Sequence, residues 1–367
     1  MAYEDYVDVI KINSYDEIFD LIKGKSKIPD LRKDFVFRGV NDSSYDLTPS
    51  SLRVNKDNVS NISDFVDDLK FIRIFRAEEL FEKGEIDEEF YNKLGGEGLT
   101  FKFYDKDLNE IERKGYFKQA QSEGEIACYL EINVLLKFLN LSDKSGLKIP
   151  FNQRLRNMIH RAEDEGLKKI FHFWPHNDYF EVISLAQHYG LPTRALDWSY
   201  DYNVALYFSV RNALKDKYND SLLWALNYNI FEKNTYRQDR LKKFFPLKFY
   251  RPEYSINPNL NAQKGLFTFW IGNIVNSTDQ PLDILLTSNL DENKTNDLRE
   301  FKYNNLCFEL DDDEKIMYKF VIPKEFKAEI LNELYLDGYS EEFLFPGYNG
   351  VTLSIKNRNK LLKILNE

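Results

Sequence analysis

The run Phe35-Val36-Phe37-Arg38-Gly39 constrains the fold more than any other stretch, because it reads as a strand that delivers an arginine at its end. A guanidinium held there presents a planar fork suited to bidentate phosphate recognition, and the glycine after it leaves the backbone open to close approach. The same arrangement also serves an ordinary surface ion pair. Two distant segments bear on the choice, His188-Tyr189-Gly190-Leu191-Pro192-Thr193-Arg194-Ala195-Leu196-Asp197-Trp198-Ser199 and Glu341-Glu342-Phe343-Leu344-Phe345-Pro346-Gly347. If they complete one site with Arg38, the chain must fold back so that Arg38, Ser199 and Glu342 line a common pocket.

At 367 residues, 43% hydrophobic and 15% aromatic, the chain can bury a sizeable core. Apolar runs such as Leu222-Leu223-Trp224-Ala225-Leu226 fall well short of a bilayer span, so no membrane partner is expected. The acidic start, Met1-Ala2-Tyr3-Glu4-Asp5-Tyr6, lacks the basic and apolar regions of a secretory signal. With Cys128 and Cys307 as the whole cysteine complement, neither a disulfide framework nor a zinc site is expected, and a reducing cytoplasm fits. A net charge of −10 supplies no global basic field for nucleic acid.

Apolar spacing predicts a helix over residues 15–24, then the strand to Arg38. Helices are predicted over about 58–93, with a turn at Gly84–Asp87, and over Glu123–Leu139, Phe151–Glu163 and Tyr179–His188. Residues 55–185 therefore read as a mainly helical insertion, without a Gly/Ser linker, packed on a core made of 25–54 and 186–367 in a single compact unit of 1–367. Beyond Pro192 a strand at 194–199 leads into a helix at 201–214. Strands follow at Leu222–Asn227, Leu266–Ile271, Leu282–Leu286 and Ile316–Ile322, then a helix from Pro323 to about Leu334, a strand at Glu342–Phe345 and a closing helix at Leu353–Leu365. Strands not separated by regular helices point to antiparallel sheets and an α+β class.

Phe37-Arg38-Gly39, Ser44 to Arg53 and Gln187 to Ser199 with Val204-Ala205-Leu206-Tyr207-Phe208 resemble the bacterial FRG domain, as do Asn261 to Thr268 and Leu344 to Gly350. A more remote resemblance is to arginine-type ADP-ribosyltransferases. Arg38-Gly39 matches their Arg-Gly strand, Ser199 with Val204-Ala205-Leu206-Tyr207-Phe208 matches their serine strand and helix, and Glu342-Phe343-Leu344-Phe345-Pro346-Gly347 matches their late glutamate motif, in the same chain order. The middle motif reads Asp197-Trp198-Ser199 where that family has Ser-Thr-Ser, and the glutamates are adjacent where it has a one-residue gap. The resemblance implies an ADP-ribosyltransferase-like split core of two antiparallel sheets with a large helical insertion.

It further implies an NAD-dependent mono-ADP-ribosyltransferase that modifies an intracellular macromolecule, RNA, DNA or protein, as a bacterial toxin or anti-phage effector. NAD is then a substrate, no metal is needed, and an antitoxin or inhibitor protein is an expected partner. Glu342, or its neighbour Glu341, is the candidate acid that stabilises a cation-like ribose. Arg38 would hold the diphosphate or ribose and Ser199 would lie near nicotinamide; Gly39, His188, Thr193, Arg194, Asp197, Trp198 and Gln263 complete the candidate binding set. Structural roles stand beside these: His188 as a helix-end group, Arg194 with Asp197 as a buried ion pair, Trp198 as core packing. A noncatalytic nucleotide-sensing or interaction module and an NAD glycohydrolase remain alternatives.

Overall fold

The computed structural model describes residues 3–25, 28–53, 61–65, 71–76, 88, 99–104, 123–150, 174–214, 219–232, 245–271, 280–289, 291–294, 299–303, 306–310 and 315–366. In chain order the elements are β1 (Val7–Lys11), α1 (Glu17–Ile22), β2 (Phe35–Val40), β3 (Phe71–Arg76), β4 (Leu99–Tyr104), α2 (Glu123–Lys144), α3 (Phe180–His188), β5 (Leu196–Ser199), α4 (Tyr202–Val210), β6 (Ser221–Asn227) and β7 (Leu247–Tyr250). They continue with α5 (Pro258–Ala262), β8 (Gly265–Trp270), α6 (Leu282–Asn289), β9 (Asp291–Lys294), β10 (Arg299–Tyr303), β11 (Leu306–Leu310), β12 (Met317–Ile322), α7 (Lys327–Leu336), α8 (Glu341–Leu344) and α9 (Tyr348–Leu365). The chain divides into two compact units, one of residues 1–47, 197–268 and 281–367, the other of 48–196 and 269–280.

The first unit is built on one open seven-stranded sheet in the order β1-β12-β6-β2-β5-β8-β7, with the Arg-Gly strand β2 at its centre. Leu196 of β5 and the last two residues of β8 fall in the second unit's span. The sheet is mixed, since β1 pairs with β12 in parallel while β12–β6, β6–β2 and β2–β5 are antiparallel. Antiparallel order alone was expected, and β1, whose Val-Asp-Val-Ile-Lys alternates apolar and polar residues only weakly, was not anticipated. Strands β9, β10 and β11 form a separate antiparallel sheet.

Alternation along the strands divides their side chains between two faces. Phe35 and Phe37 of β2, Leu223 and Ala225 of β6, and Tyr318 and Phe320 of β12 join the core beneath the helices. That core continues into Ile18 and Ile22 of α1, Val204 of α4, Ile330 and Leu334 of α7, and Leu344 of α8. Burying a side chain such as Phe37 stabilises the fold by about 1.5–3 kcal/mol. Arg38 belongs to the opposite set: its register partner is Trp224, whose partner on β12 is Lys319, and the Lys319 ammonium lies 5.0 Å from the Trp224 ring centre. Gly39 fixes how close α4 can lie on β2, because a Cβ there would stand 1.9 Å from the Ala205 carbonyl oxygen and 2.5 Å from the Ser209 nitrogen.

The second unit holds α2, α3 and the antiparallel pair of β3 and β4, registered Phe71 against Tyr104 through Arg76 against Leu99. Along α2, Leu130, Val134, Leu135 and Leu139 recur at helical spacing and are buried. Phe180 of α3 stacks on Phe269 with ring centres 4.0 Å apart. The helix predicted through 71–76 is a strand: Phe-Ile-Arg-Ile-Phe-Arg is rich in β-branched and aromatic residues, and the paired strand decides a segment whose spacing suits both readings. Residues 84–87 and 151–163 lie outside the described residues.

Two further expectations change. Leu282–Asn289 is a helix, α6, entered after Pro281 with Asp283 in its first turn, and Leu282, Leu285 and Leu286 form a buried stripe at helical spacing. Glu341–Leu344 is a short helix, α8, that buries Glu341 and Leu344 three residues apart. Among the described residues no helix is long and apolar enough to cross a membrane.

Candidate functional site

Strands β2 and β5 share a single registered pair, Phe37 opposite Ser199, whereas β2 and β6 share six. Past that pair the Arg38 guanidinium bridges the two strands: Nη1 donates to the Asp197 carbonyl oxygen and to its Oδ1, each at 2.7 Å. The Arg38 side chain is only 10% exposed and Asp197 is 63% exposed, so the cation is held inside while its carboxylate faces solvent. Arg38 Nε is buried and makes no hydrogen bond. A buried donor without an acceptor is the feature a bound anion satisfies.

Ser199 Oγ donates to the Gln263 carbonyl oxygen at 2.7 Å and accepts from the Asp201 backbone N–H at 2.9 Å. Gln263 Nε2 in turn donates to the Leu344 carbonyl oxygen at 3.1 Å. Through Gln263, Ser199 thereby links the end of β5 to the end of α8, the helix that carries the candidate glutamates. Asp201 caps α4 by accepting from the Asn203 N–H at 3.0 Å, and its other oxygen meets Lys264 Nζ at 2.8 Å and the Tyr339 hydroxyl at 3.0 Å. Lys264 holds a φ of +46°, a left-handed conformation that a non-glycine residue keeps only when its surroundings fix it. Asp201, Lys264 and Tyr339 were missed by the sequence reading; an Asp opening a helical run was the available signal for the first.

The two glutamates have different environments. Glu341 is buried, with its oxygens 2.8 and 2.9 Å from the Tyr335 hydroxyl that donates to them, and with Asn357 Nδ2 donating at 2.5 Å. Burial, reinforced by this carboxylate, pushes the hydroxyls of Tyr335 and Tyr207 well above their ordinary range, so both stay protonated donors. Glu342 is partly exposed and paired with Arg358 Nη2 at 3.0 Å. Burial disfavours its ionisation, but the hydroxyls of Ser354 and Ser340 and the Arg358 charge outweigh this and hold its carboxyl below the usual range. Of the two, Glu342 is the acid that stays partly exposed.

Trp198 is buried and its Nε1 donates to Thr268 Oγ1 at 2.9 Å, which engages the indole in the sheet. His188, Thr193 and Arg194 belong to the second unit. His188 ends α3 edge-on to Tyr189, and burial lowers its pKa, which works against a permanent cation at that helix end. Thr193 Oγ1 donates to Gln187 Oε1 and accepts from the Ala195 N–H at 3.2 Å. The ion pair expected between Arg194 and Asp197 is not formed. Arg194 Nε instead pairs with Glu131 of α2 at 2.9 Å, both side chains almost wholly buried, while Asp197 takes Arg38. Burial selects the partner here: Glu131 compensates the desolvated guanidinium inside its unit. Ser51 Oγ and Trp174 Nε1 each donate to the same carboxylate at 2.6 Å. The signal for Glu131 was a lone acid inside the apolar run Cys128-Tyr129-Leu130-Glu131-Ile132.

Residues 138–218 match the family profile of the FRG domain, which supports the FRG resemblance for the segment that runs from α2 through α4 and includes Thr193 to Ser199. No curated protein and no solved structure matches the chain.

Proposed function

We propose that the protein is an NAD-dependent mono-ADP-ribosyltransferase that modifies an intracellular macromolecule, RNA, DNA or protein, in the manner of a bacterial toxin or anti-phage effector, and that an inhibitor protein restrains it. The observation that carries this reading is the Arg38 guanidinium: an almost enclosed cation with a free buried N–H, at the point where β2 and β5 cease to pair. Such a group fits the diphosphate of a dinucleotide. The chain from Ser199 through Gln263 to Leu344 supports a common region for the serine strand and the acidic helix. In the reaction, the bond between ribose C1′ and nicotinamide breaks with its electron pair leaving on nicotinamide. The ionised Glu342 stabilises the positive ribose, the acceptor nucleophile forms the new bond at C1′, and its proton passes to solvent. Release of nicotinamide from NAD by the purified chain, measured with and without cell extract as acceptor, tests the proposal. No release in either condition sinks it, and release independent of acceptor assigns a glycohydrolase instead.

A noncatalytic nucleotide-sensing module is favoured by separate observations. Ser199 Oγ is engaged as both donor and acceptor, Glu341 is enclosed by donors, and strand alternation directs Arg38 away from the core to which Phe37 and Leu344 both belong. Saturable NAD binding without nicotinamide release supports that reading.

A further inference from the structure

Three donors stand in one row across the sheet of the first unit. Arg38 of β2 is opposite Trp224 of β6, Trp224 is opposite Lys319 of β12, and Val9 of β1 continues the row to the sheet's edge. Their strand neighbours Phe37, Leu223, Phe320 and Ile10 belong to or pack on the helix-covered core, so alternation sends the whole row to the other face. Trp224 is fully buried, and its Nε1, like Arg38 Nε, has no hydrogen-bond partner. Lys319 makes no hydrogen bond or ion pair; its ammonium lies 5.0 Å from the Trp224 ring centre. Two buried N–H groups without acceptors at registered neighbours call for one acceptor that serves both. The row opens to solvent at the β1 end, where Lys319 is partly exposed and Val9 is 50% exposed.

Donor chemistry narrows the occupant. An indole N–H, a guanidinium and an ammonium can donate but not accept, so the row selects an acceptor-only group, an oxyanion. The carboxylates nearby do not take that place. Asp197 bonds Arg38 through Nη1 and leaves Nε free. Asp283, whose ionisation the Lys319 charge favours, forms no ion pair with it, and burial with the Asp46 charge disfavours its anion. Adjacent strands lie about 4.8 Å apart, so three strands spread the donors over roughly 10 Å, which suits linked phosphates better than a single ion. We propose that Trp224 and Lys319 join Arg38 in binding the diphosphate of the protein's ligand, Trp224 as a neutral donor in the interior and Lys319 as the cation at the open end. This rests on the assignment of Arg38 to a phosphate, which the transferase and sensing readings share.

The test titrates the full chain, labelled with nitrogen-15, with inorganic pyrophosphate. The indole N–H resonance of Trp224, assigned by its loss in Trp224→Phe, should move saturably, whereas sodium chloride at the same ionic strength should leave it in place. Trp224→Phe keeps an aromatic ring but removes the N–H, and it should weaken pyrophosphate by about tenfold or more, the scale of losing a hydrogen bond to a charged group. Lys319→Met should weaken it similarly and Lys319→Arg should restore most of the affinity; Lys319 is partly exposed, so these two variants keep the test open if Trp224→Phe does not fold. Absence of saturable pyrophosphate binding overturns the proposal, as does binding that leaves the Trp224 indole unmoved or is unchanged in Lys319→Met. NAD affinity separates this proposal from the reading of the ligand. Native NAD affinity in both Trp224→Phe and Lys319→Met overturns the proposal and leaves NAD as the ligand, whereas pyrophosphate binding with the expected responses and no NAD binding supports the diphosphate site and removes NAD.

Discussion

Arg38 Nη1 contacts Asp197 twice, through the backbone carbonyl oxygen and through Oδ1, both at 2.7 Å. The backbone contact ties the guanidinium to the strand itself, so the charge of the exposed carboxylate is not needed to place it. Arg38→Ala should therefore weaken NAD binding by about tenfold or more, the scale of losing hydrogen bonds to a charged group. Lysine should restore only part of the affinity, because an ammonium cannot reproduce the planar fork. Asp197→Ala should cost about 1–3 kcal/mol, because the guanidinium that loses the carboxylate is itself almost enclosed. Isothermal titration with NAD checks the two Arg38 variants and urea unfolding checks Asp197→Ala; an Arg38→Ala variant with native affinity would remove Arg38 from the site.

In the second unit, Glu131 accepts from Ser51, Trp174 and Arg194 in a site almost closed to solvent. Removing one charge leaves the other buried and uncompensated, so Arg194→Met should cost about 3–5 kcal/mol. Replacing both, as Glu131→Leu with Arg194→Met, should cost less than the sum of the single changes. Urea unfolding of the two single variants and the double variant closes the cycle; additive losses would show that the pair is not coupled.

What the sequence disclosed follows from where the information is local. The strand at Phe35–Arg38, the helix after Ser199 and the closing helix are set by short-range patterns, and each is present. The strand at Phe71–Arg76 and the helix α6 carry apolar residues that satisfy both periods, and only tertiary partners separate the two readings. The candidate residues were found through motif order, but their pairings were not. Arg194 and Asp197 sit three residues apart, yet one turns into a buried network around Glu131 and the other outward to Arg38. Such a choice depends on burial, which spacing does not encode.

Asp283 in the first turn of α6 is buried, accepts from the Tyr3 hydroxyl at 2.7 Å through Oδ2, and leaves Oδ1 without a partner. Burial raises its pKa, and the Tyr3 hydrogen bond only partly opposes this. Since the folded pKa lies above the unfolded one, the folded state holds the proton more tightly. Stability from this group is intact below the unfolded pKa of about 4 and is lost as pH rises through the folded value. Asp283→Asn, which can still accept from Tyr3, should stabilise the protein at pH 7 and confer progressively less benefit as pH falls towards 4. Chemical denaturation across that range measures it, and a pH-independent difference between the two proteins would contradict the assignment.

The adjacent glutamates of α8 should separate cleanly, because one is buried and enclosed by donors and the other is partly exposed. Glu341→Gln exchanges a carboxylate that receives the Tyr335 hydroxyl and the Asn357 amide for a group with its own N–H donors facing them. It should lower stability by about 1–3 kcal/mol through unmatched buried polar atoms. Any loss of turnover in that variant should follow the loss of folded protein. Glu342→Gln keeps size and hydrogen bonding but removes the charge opposite the cation-like ribose, so turnover should fall on the order of 10²-fold or more while the melt stays near native. NAD binding should persist in Glu342→Gln, since Arg38 is the group assigned to the phosphates. Both variants belong in one nicotinamide-release assay with thermal melts alongside. If Glu341→Gln alone is inactive while remaining folded, the catalytic acid is Glu341; if both variants turn over at the native rate, α8 supplies no acid to the reaction.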